Sequence, residues 1–248
     1  MAEAFREKMK QGKPLLGTLV TLPSPEVAEI LAEAGFDWLF VDMEHGALDM
    51  RAVQHMVQTM EGRCPCLVRV PSGDEVWIKK VLDTGAQGII FPHVNSADLA
   101  QELIRLCKYP PEGFRSVGIA RAHRYGFAFQ KYMENAKDVV IVIQVEHIEA
   151  VRNIESIVRV PGVDAVFIGP YDLSGSMGKI GQVTDPEVLE KIEKVRAVCM
   201  HAGLPLGIFG MDAEAVQPYI HQGYALIAVG LDALYLGRSA QQTLEEIQ

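Results

Sequence analysis

Five stretches of this chain close an apolar run on residues that can do chemistry: VDMEHG with Asp42, Glu44 and His45, CLVRV with Arg69, FPHVN with His93 and Asn95, QVEHIE with Gln144 and Glu146, and FIGPYDLS with Tyr171 and Asp172. Glu146 and Asp172 follow consecutive runs, so their side chains can converge, and two like carboxylates repel unless a cation lies between them. Two carboxylates with room for waters and a chelating substrate suit Mg²⁺ or Mn²⁺, hard ions that keep several non-protein ligands. Taken singly, each acid reads equally as a solvated loop residue or a helix cap. Their joint placement points to a metal.

Arg69 lies inside a buried run, where a guanidinium must find an anion. That anion is either a structural carboxylate or a substrate carboxylate or enolate oxygen, and the sequence leaves both open. His45 stands where a general base could stand, with an imidazole able to titrate near neutrality, and equally where a loop histidine only hydrogen-bonds. The glycines of FIGPYDLSGSMGKIG let backbone N–H groups approach an anion, though tight turns need glycine too. None of the eleven lysines falls in an apolar run or at its carboxyl end, which excludes the desolvated Schiff-base lysine. No G-x-S-x-G elbow and no G-x-G-x-x-G after a strand is present. Metal-assisted chemistry remains.

The elements that must position these residues alternate from end to end. Eight apolar runs rich in Val, Ile and Phe read as strands buried on both faces: 15–20, 37–43, 66–70, 88–94, 139–146, 164–169, 204–210 and 225–230. Amphipathic stretches separate them, opened by capping signals at Ser24-Pro25-Glu26, Ser96-Ala97-Asp98 and Asp185-Pro186-Glu187. Glycines at 35, 85, 203 and 223 close them. Eight strand–helix repeats without a linker argue for one (β/α)8 barrel over residues 1–248, with an open doubly wound sheet as the alternative. The interval from Ser96 to Asp138 is too long for a plain connection and reads as a functional loop with short helices.

Composition sets the outer bounds. With 248 residues, 49% of them hydrophobic and 22% charged, the chain can bury a large core. A formal charge of -9 and no basic run interleaved with aromatics exclude nucleic acid as a partner. Four cysteines without C-x-x-C spacing read as buried free thiols. The amino terminus lacks an apolar signal core and no window approaches a membrane span, so a cytoplasmic protein is expected.

Together VDMEHG, IKKVLDTGAQGIIFPHVNSADLA, YPPEGFRSVG, QVEHIEAVRNIESI and GVDAVFIGPYDLSGSMG resemble the HpcH/HpaI family of class II pyruvate aldolases over nearly the whole chain. That family includes 2,4-dihydroxyhept-2-ene-1,7-dioate and 2-dehydro-3-deoxy sugar acid aldolases. The resemblance implies a TIM barrel of the phosphoenolpyruvate/pyruvate type that reversibly cleaves a 4-hydroxy-2-oxo acid into pyruvate and an aldehyde through a metal-stabilised enolate. It implies Glu146 and Asp172 as ligands of Mg²⁺ or Mn²⁺, with Co²⁺ or Zn²⁺ as alternatives. Gln144 and the backbone around Gly169, Pro170 and Ser174 are then expected to receive the pyruvate carboxylate, and Arg69 to add a second positive contact. His45, paired with Asp83, belongs on the acid/base route, with Asp83 acting across a subunit interface where needed. Asp42 and Glu44, close to His45 in sequence, are expected to reach metal-bound waters.

A homohexamer built as a trimer of dimers is also implied, with the carboxyl-terminal segment ALYLGRSAQQTLEEIQ as an amphipathic helix on its own barrel or a neighbour's. The resemblance departs at His93, where relatives usually carry an apolar residue, and around Gly181-Gln182, both on the aldehyde side. Two rival functions share the same pocket. An oxaloacetate decarboxylase would form the same enolate, and an oxo-acid binding protein would keep the metal pocket without turnover.

Overall fold

A computed structural model describes residues 2–134 and 139–247. The eight expected strands are all present: β1 (Leu15–Val20), β2 (Trp38–Asp42), β3 (Cys66–Arg69), β4 (Gly88–Phe91), β5 (Val140–Val145), β6 (Ala165–Ile168), β7 (Leu206–Gly210) and β8 (Leu226–Leu231). Each pairs in parallel with the next, and β8 pairs with β1. The barrel therefore closes, and the open-sheet alternative is excluded.

The helices begin and end where side chains can satisfy their free ends. Ser24 accepts from Val27 N at 3.3 Å and Ser96 from Leu99 N at 3.2 Å, while Asp185 accepts from Glu187 N at 2.9 Å. Gly203, at φ 66°, is the left-handed residue that closes the helix Pro186–Ala202. The long interval resolves into a helix over Ala97–Cys107, a tight helical turn over Arg121–Gly126 and a helix over Phe129–Glu134. Its last residues, 135–138, lie outside the described residues.

A period of two along each strand sorts the core into two layers. One set of side chains, including Val41, Val68, Ile89 and Ile143, packs outward against the helices. The other fills the barrel, with Trp38, Phe40, Leu67, Ile90, Val142 and Phe167 among it. Large and small residues alternate across that interior: a Cβ on Gly17 would collide with the Trp38 indole, and one on Gly207 would lie 2.5 Å from the Phe167 ring. Trp38 Nε1 donates to Leu15 O at 3.1 Å, so the indole is buried with its polar atom satisfied.

The amino-terminal segment, which the sequence marked only by the lack of an apolar signal core, forms a helix over Ala2–Met9. Phe5 and Met9 join the interior cluster, with Phe5 6.4 Å from Trp38, and Arg6 Nε bonds Asp164 Oδ1 at 2.6 Å. This helix stoppers the amino end of the barrel. Access is left to the carboxyl end. No helix among the described residues is long and apolar enough to cross a membrane.

All four cysteines are buried and free, as their spacing suggested. Burial pushes the Cys64, Cys107 and Cys199 thiols up to about 12, and Cys66 is raised further by burial beside Cys64. Thiolate is the reactive form, so the folded protein should be inert to a disulfide reagent at neutral pH. Titration with 5,5′-dithiobis(2-nitrobenzoate) should release no chromophore from native protein and four equivalents after denaturation. Rapid native labelling of even one thiol would show that the core opens.

Candidate active site

The same inward-facing rows that fill the barrel continue into its mouth. On β2, Trp38 and Phe40 are followed by Asp42; on β3, Leu67 by Arg69; on β5, Val140 and Val142 by Gln144 and then Glu146; on β6, Phe167 by Gly169. Apolar side chains thus give way to polar ones at the last inward position of β2, β3 and β5, and to glycine after β6. This top layer borders a cavity of about 480 Å³ at the carboxyl ends, where barrels of this type place their active sites.

Asp42 and Arg69 are register partners on neighbouring strands. Arg69 Nε donates to Asp42 Oδ1 at 2.9 Å and Nη2 to Oδ2 at 2.7 Å, a two-pronged pair that is almost wholly buried. The guanidinium carbon lies 5.1 Å over the Phe40 ring directly beneath. The question left open for Arg69 has a structural half to its answer: Asp42 is its anion. Nη1 also stands 3.1 Å from Glu44 Oε2 without hydrogen-bond alignment, so that buried oxygen keeps no donor. Burial opposes the charge on Arg69, but Asp42, Glu44 and Glu146 together hold its pKa above the ordinary arginine value.

Asp42 also shapes the loop that follows. Its Oδ1 accepts from Glu44 N at 3.0 Å and His45 N at 3.3 Å, which turns His45 over the cavity. The imidazole is exposed, with Nε2 3.8 Å from Glu44 Oε2.

Glu146 is 2% exposed. Burial, reinforced by the charges of Glu44 and Asp172, raises its pKa from the ordinary value despite opposition from His93. Its Oε1 accepts from His93 N at 2.7 Å, and its Oε2 accepts from Gln144 Nε2. Gln144 Oε1 is buried without a partner. A Cβ on Gly169 would lie 3.0 Å from Gln144 Nε2 and 3.0 Å from Glu146 Oε2, so the backbone here comes as close as glycine permits. Asp172 sits exposed in the first turn of the helix Pro170–Ser176 and lines the cavity with Gly169 and Pro170.

Two expected residues are placed elsewhere. Ser174 is fully buried, donates to Tyr171 O at 2.6 Å and accepts from Gly181 N at 3.1 Å, so its hydroxyl staples a loop and does not line the cavity. Asp83 ends the helix Glu75–Asp83, which runs roughly 13 Å back from the mouth toward the start of β4. There it pairs with Arg115 Nη2 at 2.7 Å, and within one chain it does not meet His45. The apolar wall of the cavity was not singled out from sequence: Leu19, Phe209, Met211 and Leu231 complete it. Strand alternation carried the signal, since Leu19 and Phe209 continue inward rows, but apolar residues at strand ends look like core.

The donors that could hold a cation here are oxygens. Among the described residues no three His, Cys, Asp or Glu side chains are gathered as a metal cluster. What is gathered is a carboxylate pair beside two buried oxygens, Glu44 Oε2 and Gln144 Oε1, that lack donors. Hard oxygen donors with room for other ligands are the set that Mg²⁺ or Mn²⁺ takes.

A barrel whose mouth carries an acid-rich, partly apolar cavity belongs to the enzymes that act on small polar molecules. The HpcH/HpaI aldolase/citrate lyase family model matches residues 16–237. A hydroxypyruvate/pyruvate aldolase from Roseovarius nubinhibens is 37% identical over 97% of this chain and 95% of its own. A 4-hydroxy-2-oxo-heptane-1,7-dioate aldolase from Shigella sonnei is 38% identical over 97% of this chain and 93% of its own. The crystal structure of an HpcH/HpaI aldolase/citrate lyase family protein from Burkholderia cenocepacia J2315 superposes with a TM-score of 0.95 at 34% identity, covering 99% of both chains. The chain belongs to the HpcH/HpaI aldolase/citrate lyase family and is a carbon–carbon lyase.

Removing one member of a buried ion pair leaves the other uncompensated, at a cost of about 3–5 kcal/mol. Asp42→Ala should therefore lower the unfolding free energy by about that amount, measured by urea titration. A loss below about 1 kcal/mol, the range of exposed pairs, would mean that Arg69 finds water or another acid instead.

Proposed function

We propose that the protein reversibly cleaves a 4-hydroxy-2-oxo acid into pyruvate and an aldehyde, assisted by a divalent cation held by Glu146 and Asp172. The observation that carries this reading is the buried Glu146 carboxylate, held against Gly169 and Gln144, which line one cavity together with Arg69 and Asp172. On this reading residues 1–248 act as one catalytic barrel. The cation, Mg²⁺ or Mn²⁺ by the chemistry of its donors, supplies Lewis-acid polarisation of the 2-oxo group.

The chain's own residues do the rest. Gln144 and the N–H groups of the first turn after Gly169, which that helix leaves without acceptors, receive the substrate carboxylate. His45 takes the proton from the C4 hydroxyl. The C3–C4 bond then breaks, the aldehyde carbonyl forms, and the electron pair passes through C3 to the C2 oxygen. Arg69, fixed by Asp42 and stacked on Phe40, faces that developing charge with the part of its donor fork that Asp42 leaves free. The proton that His45 took up is returned to C3, which yields the methyl group of pyruvate. Glu44, whose buried oxygen accepts no hydrogen bond, would accept one from water bound beside such a cation.

Asp83 enters this scheme only from a second copy of the chain, so a homo-oligomer is part of the proposal. Exposed Ile119 and Phe127, at 73% and 96%, follow Arg115, which holds Asp83, and favour such a contact. The hexamer and the docking of the helix Asp232–Ile247 on a neighbour stand with it.

The test is pyruvate release, followed with lactate dehydrogenase, from 4-hydroxy-2-oxo acids that differ in the aldehyde half, with oxaloacetate alongside. Turnover of the hydroxy acids is expected; turnover of oxaloacetate alone would make the protein a decarboxylase. Glu146→Ala and Asp172→Ala should each abolish the metal-dependent rate, because a single carboxylate chelates a hard ion poorly. Arg69→Lys, which keeps the charge and loses the fork, should lower kcat by about 10²-fold. Near-normal rates in either carboxylate variant refute the proposed metal site.

A further inference from the structure

His93 is one of three non-glycine residues with positive φ among those described, at 55°. A side chain in that region is strained, and strain of this kind persists where the surroundings over-determine it. Here the surroundings are two acids. The left-handed turn after β4 aims the His93 peptide N–H at Glu146 Oε1, 2.7 Å away, and brings its own Nδ1 to 3.2 Å from the same oxygen. The far side of the ring reaches Glu44, with Nε2 3.3 Å from Oε1.

In the hydrogen bonds and ion pairs among the described residues, His93 reaches both acids. Arg69 touches Glu44, and Gln144 touches Glu146, and the His93 ring joins the two. The ring takes Oε1 of Glu146 and leaves Oε2 turned toward Gly169, the residue just before the helix that carries Asp172. The ring is largely exposed and is not among the residues that line the cavity.

We propose that His93 is the positioning residue of the metal site: backbone and ring together clamp Glu146 Oε1, presenting Oε2 toward Asp172, while Nε2 ties Glu44 into the same net. Partners of this kind orient a ligating carboxylate, and their loss costs affinity for the ion rather than the fold. The inference rests on the proposed role of Glu146 and Asp172 in holding a cation.

Mn²⁺ binding, measured by isothermal titration calorimetry on wild type, His93→Gly and His93→Asn, separates the two ideas. Glycine keeps the N–H and relieves the strained φ but removes the ring; its Mn²⁺ affinity should fall about 10–100-fold while its metal-free unfolding midpoint does not drop. Asparagine tolerates the left-handed region and offers a side-chain donor near Oε1, so it should recover part of the loss. Unchanged or tighter binding by the glycine variant overturns the proposal, the second outcome meaning that the ring competes with the ion. An asparagine variant as weak as glycine overturns it as well. Wild type that binds no Mn²⁺ would defeat the proposed metal site itself; wild type that binds, with variants to match, defeats only the role of His93.

Discussion

Four carboxylates, those of Asp42, Glu44, Glu146 and Asp172, are crowded at one end of a closed barrel against one buried guanidinium. Two unit charges about 4 Å apart at an effective dielectric constant near 20 interact by about 4 kcal/mol, so like charges that are buried together need counter-charges. The local structure is arranged around that imbalance. Asp42 is paired with the Arg69 fork, and Glu44 lies at the edge of the same group. Glu146, with no ion pair to Arg69, accepts hydrogen bonds from the His93 peptide N–H and the Gln144 amide, with the His93 ring 3.2 Å away, and stays raised in pKa. In the proposed scheme a further cation offsets its charge.

That crowding is affordable because the barrel beneath it is rigid. Trp38, Phe40 and Phe167 pack edge to face in the interior, and glycines opposite them take up their bulk. The polar residues sit at the next inward positions of those rows, so the packing that stabilises the barrel also fixes where Asp42, Arg69 and Gln144 point. Fold and site share one periodicity, and a register slip in β2 or β3 would part Asp42 from Arg69.

The same periodicity explains what could be read from sequence. All eight strands were legible because strands buried on both faces are continuous β-branched runs, and the caps at Ser24, Ser96 and Asp185 and the glycine at 203 did what local chemistry requires. Strand-end residues followed from the strands. Contacts set by backbone turns were not legible. Nothing local marks His93 for a positive φ, and without that φ its link to Glu146 cannot be drawn. Ser174 shows the converse: a hydroxyl in a glycine-rich loop looks available, yet the loop folds back and consumes it.

Asp83 marks the limit of a single chain. It ends a helix on the far side from the mouth, but its surroundings are too elaborate for a passive surface acid. Arg115, with no exposed surface, reaches it at 2.7 Å, while that guanidinium lies 4.7 Å over Tyr109 and donates to Tyr132 Oη at 3.2 Å. Burying a guanidinium to fix a carboxylate that remains one-third exposed is costly unless the exposed part meets something. Exposed apolar groups at Ile119, Tyr125 and Phe127 follow in the same segment, which is the composition of a surface awaiting another surface. In the proposed scheme the barrel mouth supplies everything the pyruvate half requires, and the acid/base half is completed by an aspartate that one copy of the chain holds out to the next.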